Sequence, residues 1–330
     1  MKTRNRTCFR SIIGAAFILS WASGAVHAQE KYPERPIRLL VPFSAGASTD
    51  LMARKLSAKL TPLLGQPVVI ENRTGAAGTI AANEVARAKP DGYTLIFGTV
   101  PTHVLNQLTM SKVPYDALKD FSHVFLLGTS TTSVSVHPTI AATLPELIKR
   151  VRAMPGKYSY GSSGQGGILH LAGELFKARA GGLDMLHVPY RGSGASVTDL
   201  IGGQIPIAMM ALGTALPYHR AGKLRALAAM SEKRSRVAPD VPTVLEYGIR
   251  GVVAYSCVMV SGPAGMPKPV IDQLHQAIAK MMPDEAFQKD MLSVGFDPVT
   301  DSNPQKTTQF IRDEIARWER VIREIGLKPN

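Results

Sequence analysis

The segment IRLLVPFSAGASTDLMAR, residues 37–54, constrains the fold more than any other part of the chain. It predicts a buried strand, a loop of small residues and an amphipathic helix that opens near Asp50. A loop of Gly and Ala that leads into a helix leaves backbone N–H groups unpaired, and such a turn suits a carboxylate or another anion. The segment therefore predicts an α/β unit with an anion-binding turn.

Short aliphatic strands and amphipathic helices alternate along the chain in two series. The first predicts strands at 37–41, 68–70 and 94–98 and helices at 51–64 and 80–88, a pattern typical of a parallel sheet covered by helices. The second predicts strands at 133–136, 157–161, 186–188, 205–210 and 224–229 and helices at 144–153, 168–180, 195–201 and 215–221. Two such units fit two α/β lobes better than one very wide sheet.

The C-terminal part predicts a strand at 252–260 and then helices whose apolar residues recur every three or four positions. These helices need a surface to pack on, so we expect the chain to return to the first lobe. Segments near 128–135 and 251–260 would link the lobes, and two crossings make a hinge. The expected division is 29–131 for the first part of lobe 1, 132–250 for lobe 2 and 251–330 for the return to lobe 1.

Residues 1–28 have the composition of a secretory signal peptide. Four basic residues precede a short apolar run at 12–21, and Val26-His27-Ala28 supplies small residues at the usual cleavage positions. The alternative is a membrane anchor, which needs an apolar run of roughly 20 residues. We therefore expect an exported protein that is cleaved after Ala28. Cys257 would then be its single cysteine, which excludes an intramolecular disulfide and predicts a buried, unreactive thiol.

The net charge of +13 comes from scattered basic residues, and aromatic residues are 6% of the chain. No basic run is interleaved with aromatic residues, so we do not expect nucleic-acid binding. Either a general positive field attracts small anions, or the charges only solvate the surface. The sequence also lacks the G-x-S-x-G, H-E-x-x-H, C-x-x-C, P-loop and G-x-G-x-x-G motifs. We therefore expect no catalytic residue, no metal and no cofactor.

Four loops rich in Gly, Ser and Thr follow predicted strands, at 43–50, 98–102, 160–167 and 188–193. Ligands of open α/β sheets bind beyond the carboxyl ends of the strands. Two of these loops come from each predicted lobe, as a cleft requires. The residues expected to contact a ligand are Phe43, Ser44, Gly46, Ala47, Ser48, Thr49, Thr99 and Thr102 in lobe 1, and Ser162, Ser163, Gly164, Gly166, His170, Tyr190 and Arg191 in lobe 2.

Three residues near these loops have two interpretations each. Asp50 either contacts a ligand or caps its helix and pairs with Arg54 four positions later. His170 either reaches the ligand or packs as a hydrogen-bonded core histidine. Arg191 is either the cation that meets an anionic ligand or an ordinary surface arginine.

Several motifs occur in a fixed order: YPERPI (32–37), PDGYTL (90–95), HVPYRG (187–192), DLIGGQ (199–204) and PAGMP (263–267). In order and spacing they resemble the periplasmic solute receptors of tripartite tricarboxylate transporters, the Bug or TctC type. The resemblance covers nearly the whole chain after residue 28. It implies a type II periplasmic binding protein, with two α/β lobes joined by two hinge crossings, that works in the periplasm.

The resemblance also implies a function. Such a receptor captures a small di- or tricarboxylate through loop backbone, hydroxyls and bridging water, and delivers it to the membrane permease subunits of the transporter. We expect it to act as a monomer and not as an enzyme. Two alternatives remain: a sensor that presents the ligand to a membrane kinase, and a secreted hydrolase that uses Ser163 with His170.

The sequence departs from the family pattern close to the expected cleft. The family usually has two glycines where this chain has Gly46 and Ala47, and segment 208–212 is more apolar than its usual counterpart, which often carries an acidic residue. If Met209, Met210 and Leu212 border the pocket, an aromatic or longer-chain carboxylate would be the preferred ligand.

Overall fold

The computed structural model describes residues 32–190 and 192–327. The predicted signal peptide and Arg191 lie outside these described residues. The first lobe begins with alternating strands and helices, as the sequence predicts. This series ends in one long strand. Its elements are β1 (Ile37–Val41), α1 (Ser48–Leu64), β2 (Val68–Asn72), α2 (Thr79–Ala86), β3 (Thr94–Thr99), a π-helical turn (Pro101–Leu105), α3 (Asn106–Thr109) and β4 (Phe121–Val136).

The second lobe repeats the alternation, and the chain then returns to the first sheet. The second series is α4 (Leu144–Ala153), β5 (Tyr158–Ser162), α5 (Ile168–Arg179), β6 (Met185–Pro189), α6 (Ser193–Ile201), β7 (Ile207–Ala211), α7 (Leu212–Arg220) and β8 (Arg225–Ala229). The last elements are β9 (Tyr255–Pro263), α8 (Lys268–Met281), α9 (Glu285–Ser293), β10 (Asp297–Pro298) and α10 (Pro304–Glu324).

The strands form two sheets that share β4. In the first lobe the order is β2-β1-β3-β9-β4, where β1 runs parallel to β2 and β3, and β9 is antiparallel to both of its neighbours. In the second lobe β4 pairs antiparallel with β7 and β8, and β5 runs parallel to β6 and β7. The parallel strands place the loops that follow them at the same edge of each sheet, which positions the site.

β4 changes partners along its length and so joins the lobes. Its residues up to Thr131 pair with β9, whereas Thr132 and the residues after it pair with β7 and β8. The second crossing lies beside it, because the Thr132 N–H donates to the Ala254 carbonyl (2.8 Å) and the Ala254 N–H donates to the Met230 carbonyl (2.9 Å). Both crossings therefore run through paired backbone. The exact division into 29–131, 132–250 and 251–330 stays a prediction.

Helix α1 shows how the sequence positions the cleft. Met52, Leu56, Leu60 and Leu64 recur every four residues and are buried against the sheet, and each buried side chain of this size contributes about 1.5–3 kcal/mol. Gly65 ends the helix in the left-handed region (φ +70°), and its N–H donates to the Thr61 carbonyl at 3.0 Å. The packed stripe fixes the helix so that its N-terminus faces the space between the lobes.

Helix α10 packs on more than the first lobe. Ile311, Trp318 and Ile322 belong to a buried cluster that also contains residues of β4, α4 and α5. At its end, Glu324 accepts a hydrogen bond from Arg179 of α5 at 2.8 Å. The C-terminal helix therefore contacts the second lobe as well as the strand that joins the two lobes.

Candidate functional site

A cleft of about 750 Å³ lies where the loops of the two lobes meet, a volume suited to a small ligand. The first lobe contributes residues of the loops after β1 and β3, and the second contributes residues that follow β5, β6 and β7. The floor comes from the crossing strands. The lining residues are Phe43, Ser44, Gly46, Ala47, Ser48, Thr49, Pro101, Ser130, Thr132, Ser163, Ile168, Leu169, Gly192, Ser193, Gly194, Ala211, Thr214 and Ser256.

The cleft is polar but carries no charged side chain among the described residues that line it. Half of those side chains end in a hydroxyl: Ser44, Ser48, Thr49, Ser130, Thr132, Ser163, Ser193, Thr214 and Ser256. A hydroxyl can both donate and accept a hydrogen bond. These hydroxyls can thus orient a polar ligand, but they carry no charge that would compensate that of an anion.

The backbone can supply compensating positive charge, because four helices begin at the cleft. The starts of α1, α5, α6 and α7 all contribute lining residues, and none of these four helices has a side-chain cap. The first N–H groups of a helix have no carbonyl partner within it and carry a partial positive charge. Four such ends beside one space make the site electropositive with no lysine or arginine among the described residues that line it.

Some of the helices that begin elsewhere do have a side-chain cap. The N-termini of α4, α9 and α10 are capped by the side chains of Thr143, Asp284 and Asn303, respectively. Helices α2 and α8 also lack a side-chain cap, so a missing cap alone does not identify the site. What distinguishes the cleft is the convergence of four uncapped ends.

Asp50 organises the first loop from beneath it. Its carboxylate is 1% exposed and accepts hydrogen bonds from the Gly46 N–H (2.9 Å), Arg54 Nε (2.9 Å) and Asn72 Nδ2 (2.9 Å). Burial raises the pKa of this carboxyl, but the hydrogen bonds from Arg54, Gly46 and Asn72 outweigh burial and hold the pKa below its usual value. Asp50 is therefore the structural partner of Arg54 and does not line the cleft.

The loop after β5 is held in a similar way by two histidines. The Gly166 N–H donates to Nδ1 of His170 at 3.1 Å, and Ser162 Oγ is hydrogen-bonded to Nε2 of His187 at 2.7 Å. His170 is only 4% exposed. Of the two interpretations open for His170, the structure favours the packed, hydrogen-bonded histidine.

Seven of the expected contact residues line the cleft: Phe43, Ser44, Gly46, Ala47, Ser48, Thr49 and Ser163. Seven others do not, namely Thr99, Thr102, Ser162, Gly164, Gly166, His170 and Tyr190. Arg191 lies outside the described residues. Whether the lining residues contact a ligand stays a prediction.

Internal hydrogen bonds explain the side chains that turn away. Thr102 Oγ1 accepts the Thr99 N–H at 2.9 Å, so the two buried threonines close the π-helical turn and Pro101 borders the cleft instead. Tyr190 directs its hydroxyl at Asp199 Oδ2, 2.7 Å away on α6. Ser162 is fully buried, and its hydroxyl is hydrogen-bonded to His187. Gly164 and Gly166 contribute only to the loop's shape, with φ of +144° and +72°.

The expected contact residues do not include the floor of the cleft or the starts of α6 and α7, although Ser193 lies within the loop predicted at 188–193. Ser130, Thr132 and Ser256 lie on the crossing strands, and Ser193 and Thr214 lie in the first turns of α6 and α7. The sequence does contain a pattern that points to the floor of the cleft: Ser130 and Thr132 are two residues apart in a strand and therefore face the same side. Both lie within the segment that the sequence predicts to link the lobes.

The three side chains that suggest an aromatic ligand do not border the cleft. Met209 and Met210 are fully buried and Leu212 is 1% exposed, and all three pack in the cores of the second lobe. Only Ala211 of this segment reaches the cleft. The apolar character of 208–212 therefore reports core packing and not ligand preference.

The described part of the chain shows neither a cluster of metal-binding side chains nor a membrane-spanning helix. Residues 32–190 and 192–327 contain no group of three or more His, Cys, Asp or Glu side chains placed to hold a metal ion. Within the same ranges, no helix has both the length and the apolar character needed to cross a bilayer.

Known proteins resemble this chain over nearly its full length. Protein BugT of Bordetella pertussis is 36% identical, in an alignment that covers 98% of this chain and 99% of BugT. The structure of Rpa4515 of Rhodopseudomonas palustris with adipate superposes with a TM-score of 0.82 at 33% identity, over 91% of this chain and 100% of that one. MatC of the same organism, solved with bound malate, gives a TM-score of 0.77 at 30% identity, over 88% and 100%.

These likenesses confirm the fold expected from the sequence, a type II periplasmic binding protein with two α/β lobes and two crossings. The family model described as the tripartite tricarboxylate transporter family receptor matches residues 52–327. The chain therefore belongs to this family of periplasmic solute-binding receptors, the Bug or TctC type.

Proposed function

We propose that this protein captures a small di- or tricarboxylate in the periplasm and delivers it unchanged to the membrane permease subunits of a tripartite tricarboxylate transporter. The observation that carries the proposal is the convergence of four uncapped helix N-termini on a cleft lined with hydroxyls, whose described lining residues carry no charge. Helix N-termini favour anions by backbone hydrogen bonding and by the helix dipole together.

The arrangement suits an acid with more than one carboxylate. Helix α1 faces the cleft from the first lobe, and α5, α6 and α7 face it from the second. A ligand with carboxylates at both ends would engage both lobes at once and so favour their closure. The adipate and malate in two of the related structures are ligands of this kind.

Calorimetric titration with adipate, malate, citrate and benzoate tests the proposal. We expect saturable binding of at least one of the first three acids, weak or no binding of benzoate, and recovery of the bound acid unaltered. A ligand at 100 times its Kd should also raise the free energy of unfolding by about 2.7 kcal/mol. No stabilisation by any polyacid, or conversion of the acid into a product, would contradict the proposal.

A matched pair of variants tests whether the ligand is an anion. Ser256 lies on β9 at the cleft floor, and Ser256→Asp and Ser256→Asn differ by one charge at nearly equal size. We expect Ser256→Asp to weaken binding at least about tenfold more than Ser256→Asn, because two negative charges a few ångströms apart repel. Equal effects of the two substitutions would show that the bound group is not anionic.

Export and transport are tested in cells. If the first 28 residues are a cleaved signal peptide, N-terminal sequencing of the periplasmic protein should begin at Gln29. Deletion of the gene should abolish uptake of the labelled acid, and the chain should co-purify with a permease. Normal uptake in the deletion strain, with a membrane kinase as the co-purified partner, would indicate a sensor instead.

A further inference from the structure

Two imidazoles are stacked beneath one wall of the cleft. The rings of His170 on α5 and His187 on β6 lie 3.9 Å apart between centroids and are inclined by only 18°. Above them runs the loop of residues 162–167, which supplies Ser163 to the cleft and leads into Ile168 and Leu169 at the uncapped start of α5. Neither histidine lines the cleft, so their effect on a ligand is indirect.

His170 has to be neutral to hold the loop as observed. Its Nδ1 accepts the Gly166 N–H at 3.1 Å, and an acceptor nitrogen carries no proton. Protonation would place an N–H against an N–H, which breaks this hydrogen bond and pushes the loop away. Gly166 has φ +72°, and because glycine adopts positive and negative φ about equally readily, this hydrogen bond helps to select the observed loop shape.

His187 holds the other end of the loop. Its Nε2 is 2.7 Å from Ser162 Oγ, and the same hydroxyl accepts the Gly164 N–H at 3.2 Å. The Ser162 hydroxyl thus links the imidazole of His187 to the backbone of Gly164, so that Ser163 lies between two residues held in place. Together the two histidines contact the segment at Ser162 and at Gly166.

The surroundings keep both rings neutral near pH 7. Burial lowers the pKa of His170, and burial together with the neighbouring His170 ring lowers the pKa of His187 to about 4. Among the described residues, the other titratable groups around the pair are Glu174 and Lys177 of α5, which pair with each other at 2.9 Å, and the Tyr160 hydroxyl, which donates to Glu174. Because Glu174 and Lys177 oppose each other, burial and stacking dominate.

We propose that His170 and His187 are positioning residues for the ligand: as a neutral stacked pair they hold the loop of residues 162–167 in the shape that presents Ser163 and the start of α5. Ligand affinity is then constant above about pH 6.5, the ordinary pKa of histidine, and falls as the pH drops towards 4. This inference rests on the proposed function for the ligand, but the loop itself can be followed without one.

The first test uses the ligand-free protein. In a pH titration followed by NMR, the Gly166 amide resonance should move together with the ring resonances of His170, with a midpoint below 6.5. A Gly166 amide that does not titrate, or a His170 that titrates at or above 6.5, overturns the proposal. This result does not depend on whether any carboxylate binds.

The second test compares substitutions that keep or remove the acceptor. Asn presents an oxygen close to the place of Nδ1 but cannot be protonated, whereas Leu has a similar volume and no acceptor. With adipate as the probe at pH 7.5, His170→Leu should weaken binding about tenfold, the effect of one hydrogen bond, and His170→Asn should recover most of that loss. His170→Asn should also bind with a flatter pH profile than the wild type.

His219 provides a control, because it makes the same kind of hydrogen bond as His170 but does not lie at the cleft. His219 Nδ1 also accepts a backbone N–H, from Ala226, near the far end of α7, so His219→Asn should keep the wild-type pH profile. Equal affinities of His170→Leu and His170→Asn, or an unchanged pH profile in His170→Asn, overturn the proposal. If adipate does not bind the wild type, malate or citrate replaces it as the probe; if none of the three binds, the proposed function is in question, and the NMR titration alone decides on His170.

Discussion

Gly213 and Gly295 approach so closely that a Cβ atom on Gly213 would lie 2.5 Å from the Cα of Gly295. Gly213 is in the first turn of α7, beside the cleft, and Gly295 precedes β10, which pairs with the first-lobe part of β4. Close by, Asp297 accepts hydrogen bonds from Ser235 Oγ (2.6 Å) and the Arg236 N–H (2.7 Å). The two lobes thus meet backbone to backbone at this point.

Gly213→Ala should therefore destabilise the protein. The added methyl group meets main chain, which cannot rotate away, so we expect a loss of about 1–3 kcal/mol in the free energy of unfolding, measured by urea denaturation. Gly194→Ala in α6 is the control, because a Cβ there meets nothing within 4 Å and Ala is favoured in a helix. A Gly213→Ala protein as stable as Gly194→Ala would show that the lobes separate freely here.

A side-chain helix cap added at Ala47 should stabilise the fold and weaken ligand binding. Ala47 is the N-cap residue of α1 and has extended backbone (φ −68°, ψ 156°), the conformation of a capping serine. Ala47→Ser should raise the free energy of unfolding by about 0.5–2 kcal/mol and weaken carboxylate binding, because its hydroxyl occupies an N–H that the ligand would use. Denaturation and calorimetry measure the two effects. Higher stability with unchanged affinity would exclude the N-terminus of α1 from the site.

The carboxylate of Asp50 should stabilise the fold in a pH-dependent way. Its pKa is lowered in the folded protein, so its contribution is complete above the unfolded value of about 3.9 and is lost as the pH falls through the folded value. At pH 7, Asp50→Asn should cost about 1–3 kcal/mol, since hydrogen bonds to a charged group are removed. The difference from the wild type should shrink below pH 4. A constant difference from pH 7 to pH 3 would contradict this account.

Glu314 should be essential for docking of α10. It is 5% exposed and accepts hydrogen bonds from Tyr255 Oη (3.0 Å), Arg317 and Trp318 Nε1 (3.2 Å). Glu314→Ala leaves these donors without a partner and should cost about 3 kcal/mol, whereas Tyr255→Phe removes one hydrogen bond and should cost about 1 kcal/mol. Urea denaturation separates the two; equal losses would mean that the carboxylate contributes little beyond its contact with Tyr255.

The sequence predicts most helices and strands because their periodicity is local. Strand β1 and helix α4 agree with the prediction at both ends, and α1 begins a few residues earlier than expected. Strand β4 is the main exception, since only its last four residues were predicted and it extends over 16. It is buried along nearly all its length and changes partners midway, so its residues do not alternate as those of a strand with one exposed face do.

The sequence predicts only part of the site, for a related reason. Loop composition identifies residues 43–49 and Ser163, because small residues at a helix start leave a local signal. Whether a hydroxyl faces the cleft or closes its own turn, as Thr102 does on Thr99, depends on side-chain direction, which composition does not carry. The role of His187 requires the pairing of β5 with β6, a contact between distant parts of the chain.

The four helix ends at the cleft have a consequence for how such a receptor changes over time. Peptide N–H groups belong to every residue except proline, so ordinary substitutions cannot delete them. The proposed capacity to hold an acid is thereby shielded from mutational drift, while the hydroxyls of Ser44, Ser130 and Thr214 remain open to exchange. A scaffold of this type can acquire new preferences one wall residue at a time without passing through a form that binds nothing.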